Sequence, residues 1–304
     1  MIIGKMAADL GIKAAFIQTF ARGASHAYKT YPIRKRGGGH RIIDHPSKQL
    51  KAMQRWLLEY VLPGLPVHTA AMAYQKGKSI LDNAAIHADS RFLLRMDCKN
   101  FFPSITETDL RTYIADRGSL FAGWTPFDVD VVCMIVFKGS RLTIGAPTSP
   151  AVSNVLCFDM DSALSDLAVK RGVTYTRYAD DLFFSANQPN ILRPLQIEVE
   201  RIVPKLKVPR GLAINAAKTR HSSKRRRRRV TGIVLGSDRQ PHIGRQLKRK
   251  IRALIHQMDS LDMPSRARLA GLLAYSVGFD AGFMNSLIMK YGYDTLAKAR
   301  KPIP

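Results

Sequence analysis

The chain has 304 residues, with 48 lysines and arginines against 23 aspartates and glutamates, a formal charge of +25 and a pI near 10.3. Apolar residues make up 46% and charged residues 23%, which excludes a mainly disordered chain. No apolar run reaches the roughly 18–20 residues of a membrane span, and Lys5, Asp9 and Lys13 interrupt the N-terminal segment, so neither a membrane helix nor a signal peptide is expected.

Residues 1–28 read as helical. Tyr31–Lys35 and Arg41–Asp44 read as two strands of a hairpin whose turn is Gly37–Gly39. Pro46 is expected to open a helix carrying Leu50, Met53, Leu57 and Val61 at helical spacing, ended by Pro63, Gly64 and Pro66. Ser79–His87 predicts a short helix and Arg91–Asp97 an apolar strand ending on an acid. Thr106 and Asp109 form a capping pattern ahead of a further helix. Phe127–Phe137 predicts a buried helix, and Ser149–Lys170 one longer helix opened by a Gly-Ala-Pro turn. Val173–Tyr178 and Leu182–Ser185 predict a tight hairpin around Ala179-Asp180-Asp181. A helix over 191–207 follows, then strands at Leu212–Ile214 and Val230–Leu235, then helices from Gly244. With no repeat and no clean linker, the parts are expected to pack as one body. The order implies an α+β chain with an antiparallel sheet. The three cysteines (Cys98, Cys133, Cys157) have no paired or metal-type spacing and fit small buried side chains in a reduced compartment.

The charge is localised. Lys218–Arg252 holds 14 basic residues and one acid, Asp238, and Lys29–Arg55 holds 8 basic residues and one acid, Asp44. Two basic clusters flanking an acid-bearing middle suit a groove for a polyanion. In that middle, Asp97 ends an apolar strand, where an acid needs compensation. Asp180 and Asp181 sit at a hairpin tip. If the two strands are neighbours, Asp97 faces Asp180, and divalent cations between them would relieve the repulsion.

Several segments in order carry a resemblance. They are the RKRGGGHRIID hairpin, Asp97 to Ile105 (DCKNFFPSI), Gly145-Ala146-Pro147-Thr148-Ser149-Pro150 with Ser153-Asn154, Tyr178-Ala179-Asp180-Asp181, and Leu212 to Asn215 with Lys218-Thr219. This set resembles the reverse transcriptases over roughly residues 30–235. Asn83-Ala84-Ala85-Ile86-His87 and Val230-Thr231-Gly232 resemble two segments of the retron type. Group II intron and diversity-generating enzymes are the nearest rivals. A non-catalytic RNA-binding scaffold is the alternative outside enzymes, and the intact Asp97, Asp180 and Asp181 argue against it.

The resemblance implies a right-hand polymerase fold with fingers, an antiparallel-sheet palm and a mostly helical thumb. It divides the chain into N-terminal helices and part of the fingers (1–90), palm with inserted fingers helices (91–221) and a basic, RNA-binding thumb (222–304). It implies RNA-directed DNA synthesis in the bacterial cytoplasm. The template and primer would be a structured noncoding RNA, primed from an RNA 2′-hydroxyl to give branched RNA-linked DNA (msDNA), in anti-phage defence with a separate effector protein. The resemblance makes Asp97, Asp180 and Asp181 catalytic and, with the Cys98 carbonyl, ligands of two Mg²⁺ ions. Asp181 is the weaker or more distant of these ligands. Lys35 and Arg41 would grip the triphosphate of an incoming deoxynucleotide. Phe102 would exclude a 2′-hydroxyl, Phe101 being the more ordinary core residue, and Lys218 would lie near the pyrophosphate. Asn83, His87, Arg225, Arg226, Arg227, Arg228, Arg229, Val230, Thr231 and Gly232 would bind RNA. For His87 the residue-level alternative is a satisfied structural histidine, and for Lys218 a surface lysine. Ile144 stands where many relatives have Gln, and Asn100 where relatives often have Asp or Gly.

Overall fold

The computed structural model describes residues 2–35 and 38–301. Helices α1 (Ile2–Leu10) and α2 (Ala14–Arg22) lead to a hairpin of β1 (Tyr28–Arg34) and β2 (His40–Pro46). The hairpin is longer than its sequence suggests, pairing Tyr28 with Pro46 at its base and Arg34 with His40 near its tip. Gly37 of the expected turn lies outside the described residues. Pro46 closes a strand instead of opening a helix. Ser47 caps α3 (Lys48–Tyr60) instead, its hydroxyl accepting from the Leu50 N–H at 3.3 Å.

Next come α4 (Ile80–Ile86), β3 (Phe92–Asp97), α5 (Phe101–Ser104), α6 (Glu107–Asp116) and α7 (Pro126–Val136). Capping boxes open α4, α6 and α7 through Ser79/Asp82, Thr106/Asp109 and Thr125/Asp128. The single helix expected over 149–170 is two, α8 (Ser149–Leu156) and α9 (Phe158–Lys170). They part at Cys157, whose backbone (φ −83°, ψ 5°) leaves the helical region. Then follow β4 (Thr174–Tyr178), β5 (Asp181–Ala186) and α10 (Leu192–Ile202).

No strand forms at 212–214, where Ile214 makes an isolated antiparallel bridge to Cys98. The strand forms later, as β6 (Arg220–Ser223). The stretch 230–235 is not one strand but a hairpin. β7 (Arg228–Val230) and β8 (Ile233–Leu235) turn at Thr231 (φ 49°) and Gly232 (φ 91°), and β9 (Pro241–His242) pairs with β8. Two consecutive positive φ angles match the twist of a two-residue hairpin. Helices α11 (Arg245–His256), α12 (Met263–Val277), α13 (Ala281–Tyr291) and α14 (Tyr293–Arg300) complete the described chain.

The central sheet has the order β4-β5-β3-β6. By internal contacts the chain forms two compact units instead of one body. The first takes Met1–Gly77, Leu94–Phe184 and Pro189–Arg220, and the second Lys78–Leu93, Ser185–Gln188 and the chain from His221. The boundary falls inside β3 and β5, so no linker composition marks it. In the first unit, Leu94 and Met96 of β3, Leu182, Phe183 and Phe184 of β5, and Met160 and Leu164 of α9 are buried. In the second, Ile251, Ile255, Leu269, Leu273, Phe283 and Leu287 form the core of α11–α13. Buried Asp280 caps α13 through the Phe283 N–H at 3.0 Å and accepts from Lys248 Nζ of α11 at 2.7 Å. Among the described residues, no helix is long and apolar enough to cross a membrane.

Candidate active site

The end of β3 meets the β4–β5 turn. The Cys98 N–H donates to the Asp180 carbonyl at 2.8 Å, which brings Asp97 and Asp180 into electrostatic contact as the sequence suggests. Segment 213–215 closes the other side. The Lys99 N–H donates to the Ala213 carbonyl at 2.8 Å and the Asn215 N–H to the Asp97 carbonyl at 2.7 Å. Lys218 Nζ lies 2.9 and 3.0 Å from the two Asp97 carboxylate oxygens, and Asn215 Nδ2 is 3.4 Å from one of them. Burial, reinforced by the Asp97 charge, pushes the Asp180 carboxyl above its usual range.

Asp181 has a different environment. Arg95 grips it in a bidentate pair at 2.9–3.0 Å. Burial pushes its carboxyl up to about 6 even so, with Asp180 and Asp97 adding to the rise against Arg95. Among the described residues no three His, Cys, Asp or Glu side chains gather into a metal-holding cluster. Asp97 and Asp180 remain as the pair. Their chemistry suits a hard cation: two carboxylates on neighbouring segments repel each other, and a cationic ammonium has already been drawn to one of them.

The turn is held from below by a network that sequence reasoning missed. Arg177 and Asp161 form a fully buried ion pair, with Arg177 Nη2 2.7 Å from Asp161 Oδ2. The Tyr175 hydroxyl donates to Asp161 at 2.8 Å. Arg177 Nη1 donates to Asn154 Oδ1 at 3.0 Å and to the Ala179 carbonyl at 3.3 Å. Ala179 has a left-handed backbone (φ 56°) in the turn itself. Arg177 also grips segment 70–73 through its backbone: its N–H donates to the Ala70 carbonyl and its carbonyl accepts from the Met72 N–H, each at 2.8 Å. An arginine beside the acids in a very basic chain reads as surface, so only the burial reveals its role.

The hairpin leaves Lys35 and Arg41 exposed. Its base is fixed at Asp44, whose N–H donates to the Ile144 carbonyl at 2.8 Å and whose carboxylate pairs with Lys138. Gly145 follows at φ 123°, so close that a Cβ there would overlap the Asp44 carbonyl. Ile144 thus contributes its backbone to this junction. Phe102 is part-exposed and Phe101 buried, their rings 5.4 Å apart. Exposed Asn100 adopts a left-handed backbone (φ 45°) just before α5.

In the second unit the two short retron-like segments come together. Thr231 Oγ1 donates to the Ile80 carbonyl at 3.3 Å. Arg228 is buried and donates to the carbonyls of His87, Ala88 (3.1 Å), Ser90 and Gly236 (3.1 Å). Asn83, His87, Arg228 and Val230, all expected at RNA, are buried inside this unit. His87 Nδ1 lies 2.7 Å from Ser185 Oγ, and burial drives the imidazole down to about 3, so it stays neutral. This is the structural-histidine reading. Arg225, Arg226, Arg227, Arg229 and Gly232 stay exposed, and Thr231 is part-buried.

Comparison with known proteins places this geometry. The family described as reverse transcriptase (RNA-dependent DNA polymerase) matches residues 33–235. Retron Ec83 reverse transcriptase of Escherichia coli is 33% identical over 92% of this chain and 92% of its own length. Retron Ec86 reverse transcriptase, also of Escherichia coli, is 32% identical over 91% of this chain and 86% of its own. Retron Mx162 reverse transcriptase of Myxococcus xanthus is 37% identical over 83% of this chain and 57% of its own. A Candida albicans telomerase structure solved with a fragment of telomeric RNA superposes with a TM-score of 0.50 at 12% identity, over 90% of this chain and 60% of that one. That likeness concerns the fold, which is a right-hand polymerase fold with an antiparallel palm. With acids at adjoining strand ends in a matched domain and relatives spanning most of its length, the chain belongs to the reverse transcriptases of the retron type and is an RNA-directed DNA polymerase.

Proposed function

We propose that this enzyme copies part of a structured noncoding RNA into DNA, starting from a 2′-hydroxyl of that RNA, so that the product is branched RNA-linked single-stranded DNA. The observation that carries the reading is the junction of Cys98 with Asp180, which brings the Asp97 and Asp180 carboxylates within electrostatic reach of each other where strands end. Asp97, Asp180 and the Cys98 carbonyl would hold two Mg²⁺ ions, which when bound activate the attacking hydroxyl and neutralise the leaving pyrophosphate. Asp181, engaged by Arg95, would act beyond the direct ligands. Lys35 and Arg41 would meet the triphosphate, Phe102 would exclude the 2′-hydroxyl, and Lys218 would serve the pyrophosphate side once released from Asp97.

Residues 1–90, 91–221 and 222–304 would then serve as fingers with N-terminal helices, palm, and thumb. Exposed Arg225, Arg226, Arg227 and Arg229 would meet RNA phosphates bidentately, while buried Asn83, His87 and Arg228 shape the platform they stand on. The reaction would take place in a bacterial cytoplasm, in defence against phage together with a separate effector protein.

The test supplies the full chain with a structured transcript encoded beside its gene, Mg²⁺ and labelled deoxynucleotides. Labelled DNA should stay joined to RNA until a 2′,5′-debranching enzyme frees it. DNA that never carries a branch would refute the priming step. Asp180→Asn should lower synthesis at least a thousandfold with RNA affinity within about twofold, measured by filter binding. In cells, phage plaque counts should rise with the same substitution.

A further inference from the structure

Tyr74 stands out among the residues around the acids. It is an aromatic that remains 50% exposed, and it holds a left-handed backbone (φ 63°), a region that side-chain-bearing residues avoid and that concentrates at functional sites. The conformation is imposed from below. The residues just before it are fastened by Arg177, through Ala70 and Met72, and by Asn154 Nδ2, which donates to the Ala73 carbonyl at 2.8 Å. The buried network that carries the Ala179 turn therefore also presents Tyr74.

The ring it presents lies with its centroid 6.5 Å from that of Phe102, tilted by 41°. Its hydroxyl is within electrostatic reach of Asp180 and of Arg41, and burial, with the Asp180 charge adding to it, raises its pKa. Tyr74 is thus an electrostatic neighbour of both the acid proposed to hold metal and the cation proposed to grip phosphates. A nucleotide whose α-phosphate faces Asp180 and whose outer phosphates reach Arg41 would bring its sugar near the Tyr74–Phe102 ring pair.

We infer that Tyr74 is a positioning residue for sugar selection: its ring backs Phe102 and restricts the space beside the 2′ carbon of the incoming nucleotide. The inference rests on the reading of Phe102 as the group that excludes a 2′-hydroxyl. Truncating Tyr74 would let the Phe102 ring swing away and admit ribose. The hydroxyl is not required, because the work is done by ring volume.

The experiment measures kcat/KM for dTTP and for UTP with the full chain on oligo(dT)-primed poly(rA). The ratio of the two is independent of how much of each preparation is folded. Tyr74→Ala should lower the deoxy-to-ribo ratio at least tenfold, and Tyr74→Phe should restore it to within twofold of the parent. Phe102→Ala is the reference and should lower the ratio further. If Phe102→Ala relaxes selection while Tyr74→Ala stays within twofold of the parent, the inference about Tyr74 is wrong and the reading of Phe102 stands. If neither changes the ratio, the reading of Phe102 falls and takes the inference with it. A fall in Tyr74→Phe equal to that in Tyr74→Ala would assign the effect to the hydroxyl and overturn the ring-backing account.

Discussion

Asp97 and Lys218 form an ion pair in which one ammonium reaches both carboxylate oxygens, at 2.9 and 3.0 Å. The two residues are far apart in sequence. Their meeting depends on Asn215, whose N–H fastens segment 213–218 to the end of β3. The pair shows that the pocket formed by the acids attracts a positive charge, and that the chain itself can deliver one.

The Lys218 side chain is mostly solvent-exposed, which screens its charge, although the Asp97 carboxylate it meets is nearly buried. Lys218→Met should change unfolding free energy by less than about 1 kcal/mol in urea titrations. The same substitution should slow single-nucleotide addition at least tenfold by rapid quench, as a lysine serving the pyrophosphate side would.

Arg177 presents the opposite case. Replacing it with Met would strand the Asp161 carboxylate in the core, at a cost of about 3–5 kcal/mol in denaturant unfolding. Arg177→Lys keeps the charge but loses the fork that reaches Asp161, Asn154 and the Ala179 carbonyl together. That variant should remain folded by circular dichroism while losing at least tenfold in kcat, because the turn that aims Asp180 has lost its support.

The arginine run should split into two classes. Changing Arg225, Arg226, Arg227 and Arg229 together to Ala should weaken RNA binding and flatten the dependence of log Kd on log salt, with little effect on melting temperature. Arg228→Ala should do the reverse. It removes the donor to four backbone carbonyls and should cost about 3 kcal/mol or more of stability, with the salt slope of the surviving folded protein unchanged.

His87 predicts an acid-side weakness. Its folded pKa lies near 3 because burial disfavours the imidazolium, while in the unfolded chain it returns to its ordinary value of 6.5. Above 6.5 both states are neutral and the group costs nothing. As pH falls from 6.5 toward 3 the unfolded chain takes up the proton first, so stability declines through that window. At about pH 5 the loss is about 2 kcal/mol relative to about pH 7.5. Urea unfolding of His87→Gln at the two pH values should show less than half of the parent's decline.

The acids were legible in sequence because an apolar strand that ends on Asp97 and a hairpin tip carrying Asp180 leave few other arrangements. The capping boxes at Thr106 and Thr125 fix helix starts by purely local hydrogen bonds, and the first of these was visible in the Thr106/Asp109 pair. Other features had no local mark. Cys157 splits two helices without a glycine or proline. Ile214 joins the sheet edge by a single bridge, too short a pairing for β-propensity to separate from a strand. The burial of Arg177 and Arg228 is a tertiary fact: in a chain of charge +25 an arginine is read as surface until the carbonyls and carboxylate around it are seen. Tyr74 carried no signal at all, since its unusual backbone comes from anchors distant in sequence.

The Thr231-Gly232 turn shows how a signature can run against local comfort. Asparagine suits the first position of such a turn better than a β-branched residue does. Threonine there gives up conformational ease and gains a hydroxyl tether to the Ile80 carbonyl. An engineer who polished this hairpin with Thr231→Asn would make a better isolated ribbon while cutting the tether between its turn and the start of α4.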